Sequence, residues 1–299
     1  MTLLLALLLD AIAGEPRWLW QRFPHPAVLM GRCVGWIDDT FNTGASRKIK
    51  GAASFAGLVC AAYILGLLLA AIPGAIVDLL ILAILLAQRS LVDHVRAVAD
   101  GLRLSVGDGR NAVAMIVSRD TRTMDKSAVA RSAIESGAEN MSDGITAPVF
   151  WFAVLGLPGL LVYKITNTAD SMIGYKTPRH ADFGWAAARF DDLLNYIPAR
   201  LTAALMMMVT PDRPSWSAIA QDAGKHLSPN AGWPEAAMAH GHNIALAGPR
   251  SYHGTTRDLP FVNANGRIAL TADDIDASIT TLWKTWGLLV VAAVIIALF

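Results

Sequence analysis

Charge is what this sequence has least of. Only 16% of its 299 residues are Asp, Glu, Lys or Arg, where a soluble domain carries roughly 25%. The net charge of +1 gives no grounds for a nucleic-acid partner. Cysteine is as scarce. Cys33 and Cys60 stand apart, Cys60 inside an apolar run, so neither a disulfide framework nor a zinc site is implied. Nucleotide and hydrolase signatures are missing too: no GxxxxGK[ST], GxSxG, HExxH or CxxC occurs. Gly107-Asp108-Gly109 followed by Ala112 is a weak match to a dinucleotide loop, with no strand before it. A nucleotide, if used, is bound in a less familiar way.

What is there is apolar length. Hydrophobic residues make up 54% of the chain, and the mean hydropathy is +0.42. Residues 1–14 lack the basic start of a signal peptide, and Asp10 interrupts the apolar run. They read as a retained membrane segment with a functional acid at its end. Gly51 to Ile72 is 22 residues without a charge. At 1.5 Å per residue it covers about 33 Å, against a hydrocarbon core of about 30 Å. Pro73-Gly74 turns the chain, and residues 75–94 return and deliver Asp93 and His94 to the other face. A last span covers 283–299, with Trp283, Trp286 and Lys284 at its interface. Residues 146–165 and 191–210 are apolar but broken by Gly156, Pro158 and Pro198. They are expected to dip into the bilayer as a re-entrant or broken pair, two full crossings being the rival. The expectation is an all-α integral membrane protein: one embedded domain, about four to six membrane segments, some broken or re-entrant. Helical segments 95–145 and 211–282 and the Trp-rich, polar, cationic loop 15–50 face the cytoplasm by the positive-inside rule.

The densest chemistry lies in the 37 residues from Lys164 to Arg200. Asn167 and Asp170 are one helical turn apart, as are Asp192 and Asn195, so each pair can share a helix face. Carboxylate and amide oxygens suit Mg²⁺; Lys176, Arg179, Arg189 and Arg200 suit phosphate oxygens. The spacing predicts unequal roles for the adjacent acids: Asp192 joins Asn195 at a metal or phosphate, while Asp191 pairs with Arg189 or Arg200.

Glu135, Glu139 and Asp143 stand at i, i+4, i+8. If helical they line one face, either around a cation or as a solvated acidic face. His240 and His242, two apart, point away from one another on a helix, which argues against a shared metal. Thr271-Ala272-Asp273-Asp274 reads as a capping box with Asp in place of Glu.

Across residues 9–254 the chain resembles the adenosylcobinamide-phosphate synthase family of cobalamin biosynthesis (CbiB/CobD). The resemblance is carried by Gly14-Glu15-Pro16, the run from Val117 to Thr121, Glu135-Ser136 with Glu139-Asn140, and Asn167-Thr168 with Asp170-Ser171-Met172. It continues through Gly174-Tyr175-Lys176, Ala188-Arg189 with Asp191-Asp192, Asn195 with Pro198-Ala199-Arg200, and the stretch Ser228 to Gly232. It implies an inner-membrane, multi-pass ligase with its active site facing the cytoplasm. Such an enzyme joins adenosylcobyric acid to aminopropanol phosphate, or aminopropanol, with ATP and Mg²⁺. Its implied partners are the corrinoid, the amino-alcohol phosphate, membrane lipid and other cobalamin-assembly enzymes, and no nucleic acid. The candidate roles are catalytic for Asp10, His25, His94, Lys176 and Asp191, and metal-binding for Glu135, Glu139, Asp143, Asp170 and Asp192. Candidates for substrate binding are Arg119, Asn167, Ser171, Tyr175, Arg189, Asn195, Arg200, Ser228, Asn230 and Tyr252. A transporter is the rival from another class, and a non-catalytic scaffold subunit a third reading. Against the transporter, polar groups crowd into loops and span ends, and no half-repeat is visible.

Overall fold

The computed structural model describes residues 1–252 and 255–298, except the side chains of Arg17, Ser251, Tyr252 and residues 255–257. In chain order the helices are α1 (Thr2–Ala13), a single turn α2 (Arg17–Trp20), α3 (Pro26–Phe41), α4 (Arg47–Ala70), α5 (Ile76–Leu85), α6 (Gln88–Leu104) and α7 (Val106–Val113). After these come α8 (Lys126–Met141), a π turn (Ser142–Thr146), α9 (Ala147–Ile173), α10 (Trp185–Leu194), α11 (Tyr196–Val209), α12 (Trp216–Ala223) and α13 (Gly232–Gly241). Four short strands precede the last helix, α14 (Ala272–Leu298). β1 (Leu246–Ala247) pairs antiparallel with β4 (Phe261–Val262), and β2 (Arg250–Tyr252) with β3 (Thr255–Arg257).

The chain, expected as one domain, divides into two compact units. Unit 1 is Met1–Ala87, Ala147–Asn195 and Ala293–Phe299; unit 2 is Gln88–Thr146 and Tyr196–Ala292.

Unit 1 is built on α4 and α9. Only Gly51, Phe55 and Gly66 of α4 are buried, while Tyr63, Ile64, Leu65, Leu67 and Leu68 are each about half exposed or more. A helix apolar all round yet largely uncovered presents a surface suited to lipid rather than water. Gly66 lets α4 meet α9: a Cβ there would fall 2.5 Å from Pro158 Cα. The main core of the unit joins Val34 and Ile37 of α3, Phe55 of α4, Ile165, Ala169 and Ile173 of α9, Phe183, and Ala187 of α10.

Unit 2 is centred on α8, a helix of small residues buried on nearly every side. Gly137 of this helix faces Leu282 and Val95, which a Cβ there would meet at 3.4 Å. The capping box at α14 forms as the sequence suggests. Asp274 Oδ2 accepts from Thr271 N (2.8 Å), and Thr271 Oγ1 from Asp273 N (3.3 Å).

Among the described residues, three helical stretches are long and apolar enough to cross a membrane: Arg47–Ala70, Lys126–Ile173 and Ala272–Leu298. Several boundaries differ from expectation. The return segment 75–94 is two helices, because Leu86 is extended (φ −78°, ψ 160°) and α6 is amphipathic, with Arg89, Asp93, His94 and Arg96 on a polar face. The helix that the capping box opens and the expected last span are one unbroken helix, Ala272–Leu298. The 146–165 segment is one part of a continuous helical stretch, kinked where Gly156 adopts φ 65° two residues before Pro158. Segment 211–282 is not wholly helical: β1–β4 lie in it. The loop 15–50 contains α2 and α3.

Candidate functional site

Unit 1 gathers the polar residues of the Lys164–Arg200 stretch. The end of α9 carries Asn167, Asp170 and Ser171; α10 carries Arg189, Asp191 and Asp192 and is capped by Asn195. Between them the chain turns so tightly that side chains are excluded at its ends. A Cβ on Gly174 would lie 2.0 Å from Asp170 Oδ1, and one on Gly184 would lie 1.6 Å from Ile173 O. This turn is pinned to α3 by an acid that sequence reasoning passed over. Asp38 Oδ2 accepts from Arg179 Nη2 (2.7 Å) and Nε (3.0 Å), with His180 Nε2 at 3.3 Å. Asp38 Oδ1 accepts from Asn42 Nδ2 (2.7 Å). Burial alone would raise its pKa, but the hydrogen bonds from Asn42, Arg179 and His180 win and hold the carboxyl below the ordinary range.

Behind the turn lies a buried network. Tyr163 Oη donates to Asn195 Oδ1 (3.0 Å), and Asn195 Nδ2 donates to Asp191 Oδ2 (2.9 Å). Asn167 also donates to the Asp191 carboxylate. Asp191 is only 9% exposed, and its Oδ1 has no hydrogen-bond partner. Burial, then the charge of Asp170, push its carboxyl up to about 7; α10 belongs to none of the long apolar stretches. Asp192 instead pairs with Arg189 Nη1 at 3.0 Å, three residues back, and is half-buried. The predicted pairing is therefore reversed. Asn195 reaches the acid four residues back rather than three, because Asp191 faces the interior and Asp192 the rim. Burial raises Asp192 above its ordinary range against the pull of Arg189 and Lys176.

Of the other catalytic candidates of this unit, His25 has a structural role. His25 caps α3, its Nδ1 accepting from Ala27 N (3.1 Å), which leaves Nε2 to donate to Ile84 O (3.2 Å). Asp10 is buried at the end of α1. Tyr175, Lys176 and Ser171 are exposed on or beside the turn.

Unit 2 holds a different cluster. Glu135, 1% exposed, accepts at Oε2 from Arg119 Nη1 (2.8 Å) and faces Arg250 Nη2 at 3.0 Å. Its Oε1 accepts from Ala247 N (2.6 Å), a residue held at φ 59°. A left-handed non-glycine residue costs of order 1–3 kcal/mol and tends to mark functional ground. Glu135 is thus neither on a solvated face nor in line with two further acids. Its cations are guanidiniums, and Asp143 sits in the π turn, which breaks the i+8 register; Glu139 is partly buried. Glu235 on α13, also 1% exposed, was not foreseen. Its Oε2 lies 3.6 Å from Arg250 Nη2 and its Oε1 3.7 Å from His226 Nε2. Burial, then the charge of Glu135, push it far above the ordinary carboxylate range despite Arg250. Burial also lowers His226, whose Nδ1 accepts from Ser228 N (3.0 Å). The available signal was a lone acid in the otherwise uncharged run Gly232–Gly241.

Arg200, Ser228 and Asn230 do come together. Arg200 Nη1 donates to Asn230 Oδ1 (3.2 Å), its guanidinium stacks over Tyr196 (3.6 Å) and Trp233 (4.6 Å), and Ser228 Oγ accepts from Asn230 N (3.2 Å). His94 is exposed and bonds Ser90 O (2.7 Å). His240 meets Asp222 and His242 meets Thr281, each at 2.8 Å, so the two imidazoles take separate partners. The side chain of Tyr252 lies outside the described residues. Among the described residues, no three His, Cys, Asp or Glu side chains form a metal-binding group.

The family described as "CobD/Cbib protein" matches residues 3–282. "Cobalamin biosynthesis protein CobD" of Sinorhizobium fredii is 46% identical over 100% of this chain and 97% of its own length. Its namesake in Brucella anthropi is 49% identical over 98% of this chain and 96% of its own length. The protein of that name in Halalkalibacterium halodurans is 40% identical over 94% and 91%. No solved structure matches the chain. The chain belongs to the CobD/Cbib family and so to cobalamin biosynthesis.

Proposed function

We propose that this protein is an ATP-dependent amide ligase of the inner membrane. It joins the free propionate of adenosylcobyric acid to aminopropanol phosphate, or to aminopropanol, giving adenosylcobinamide phosphate or adenosylcobinamide. The observation that carries the reading is the buried Asp191 carboxylate, with one unpartnered oxygen beside Asp170 and the Asp192–Arg189 pair at its rim. Two neighbouring acids with an unsatisfied buried oxygen suit Mg²⁺, which usually takes one or two carboxylates and completes its shell with waters and substrate phosphates. Asp170 and Asp191 would hold the ion, which supplies charge neutralisation at phosphoryl oxygens. Glu135 fits a metal less well, since Arg119, Arg250 and Ala247 N already occupy it.

In the proposed chemistry the propionate oxygen takes the γ-phosphoryl group of ATP, giving an acyl phosphate and ADP. The neutral amine then attacks the acyl carbon, the C–O bond to phosphate breaks, and phosphate leaves with that electron pair. The amine's proton passes to a carboxylate. Arg189 and Lys176 steady phosphoryl oxygens, and Asn167 and Asn195 hold Asp191 in place. The unit 1 turn and the polar segment before α4 face the cytoplasm, where the substrates are. Other cobalamin-assembly enzymes are expected as neighbours, with lipid covering α4. The decisive experiment incubates the detergent-purified protein with adenosylcobyric acid, Mg·ATP and aminopropanol phosphate, and follows corrinoid mass. A product heavier by the amine less one water supports the ligase. No product from the purified chain, with turnover only when other assembly enzymes are added, would favour the scaffold reading.

A further inference from the structure

Beside the buried network of unit 1, α4, α9 and α10 enclose a cavity of about 460 Å³. Its walls include Val59 and Tyr63 of α4, Trp151, Leu155 and Pro158 of α9, and Phe190 of α10. Among the described residues, no charged side chain lines it. The backbone itself opens it. At Gly156 (φ 65°) the first turns of α9 fold back on its later ones, so that a Cβ on Gly159 would lie 2.6 Å from Trp151 O. Ala147 accordingly packs with Tyr163 and Leu194. α4 meets Phe190 through Phe55, ring centres 6.0 Å apart, and meets the bend at Pro158 through Gly66. Between these two contacts about 16 Å of α4 passes over the cavity, at about 1.5 Å per residue.

A cavity this apolar offers water no partners. An apolar cavity of roughly 150 Å³ stays dry and takes benzene, and one about three times larger has room for a longer apolar group. Cys60, Ile64 and Leu155 on its rim are exposed, on the uncovered apolar surface of α4 and its neighbour, so entry is from the lipid side. One end of the groove is cationic. Lys48 stands two helical turns before Phe55 on the same face of α4, and its Nζ lies 4.1 Å from the centre of the Trp185 ring. Lys48 and Trp185 are both exposed. Such a Trp and Lys pair suits a membrane–water interface. The cations of this segment put it at the cytoplasmic face, whose leaflet carries the anionic lipids.

We propose that this cavity binds one acyl chain of an anionic phospholipid of the cytoplasmic leaflet, with the lipid phosphate at Lys48. An unfilled void forfeits the dispersion contacts of its walls; the acyl chain restores them along α4 and against Phe190 and Leu194. Phe190 and Leu194 flank Asp191 on α10, so the lipid backs the helix that carries the buried carboxylate. The site does not depend on the ligation chemistry.

The test reads lipid retention without turnover. Detergent-purified full-length protein, mixed with equal amounts of phosphatidylglycerol and phosphatidylethanolamine, is analysed by native mass spectrometry. The wild type is expected to carry one lipid, with phosphatidylglycerol preferred. Leu155→Trp fills the groove from an exposed lining position and is expected to lose both adducts. Lys48→Glu is expected to lower phosphatidylglycerol retention about tenfold and to leave phosphatidylethanolamine unchanged; at its exposed position it decides alone if Leu155→Trp does not fold. A wild type without lipid would overturn the site. So would equal retention of the two lipids, or adducts unchanged in Leu155→Trp. A protein dimer whose share falls in Leu155→Trp would put a second copy of the protein in the groove instead of lipid.

Discussion

The two units solve opposite electrostatic problems. In unit 1, acids crowd: Asp170, Asp191 and Asp192 act on one another, Arg189 pairs only with the outermost, and the buried Asp191 keeps an unpartnered oxygen. In unit 2, cations crowd: Arg119 and Arg250 share Glu135, Arg131 rests on carbonyls, and the second buried acid, Glu235, is raised towards neutrality. An interior poor in water does not tolerate either excess without a partner. The difference lies in what the buried acids meet: other carboxylates in unit 1, guanidiniums in unit 2.

The sharpest way to break this comparison is at Glu135. Glu135→Gln leaves two nearly buried guanidiniums without their carboxylate, a loss expected to cost about 3–5 kcal/mol. At about 2–4 °C per kcal/mol for a chain of this size, thermal melts should fall by roughly 10 °C. Glu235→Gln, replacing a carboxyl raised towards its neutral form with a neutral isostere, should cost less than about 1 kcal/mol. Equal melting losses in the two variants would mean that Glu235 is ionised in the folded protein.

The next test compares neighbours in unit 1. Asp191→Asn keeps shape and hydrogen bonds, removes a charge beside Asp170, and leaves no cation unpaired. It should lower kcat of the proposed ligation by about 10²–10³ while leaving the melting temperature unchanged or higher. Asp192→Asn breaks a partly exposed pair with Arg189 and should cost no more than about 1 kcal/mol of stability, with the smaller loss of rate. Steady-state kinetics and melts in one detergent separate them. A stable, active Asp191→Asn protein would remove the carboxylate site.

A further test falls on Asp38, an acid of unit 1 held by Arg179, His180 and Asn42. Its folded pKa lies below the unfolded value, so its stabilisation is present above pH about 4 and is lost as the pH falls through the folded pKa. Asp38→Asn should cost about 1–2 kcal/mol at pH 7, discounted for the exposure of Arg179. The gap between wild type and variant should close on acidification below about pH 4. A gap that widened with acid would mean the Arg179 pair does not hold the turn.

Much of this was legible before any coordinates. Uncharged length announced α4, and the polar density of Lys164–Arg200 announced the acids that unit 1 gathers. What misled was periodicity used alone. Both i+3 and i+4 neighbours share a helix face, so spacing could not say which of Asp191 and Asp192 Asn195 would bond. The Glu135, Glu139, Asp143 ladder assumed an unbroken α-helix, and the π turn at Ser142–Thr146 ended it. Arg250 and Asp38 lie more than a hundred positions along the chain from Glu135 and Arg179, at distances that no local pattern can register.

The sequence by itself determined the elements and their solvent: apolar length and small-residue patterning are local properties, and they specify long helices, caps and kinks whatever surrounds them. Only the tertiary structure decided the charge states and partners. Burial and the approach of residues more than a hundred positions apart, such as Glu135 to Ala247 and Asp38 to Arg179, set the local dielectric and the counter-charge. Those two quantities determine whether a buried acid is a pair, a proton store or a seat for a metal.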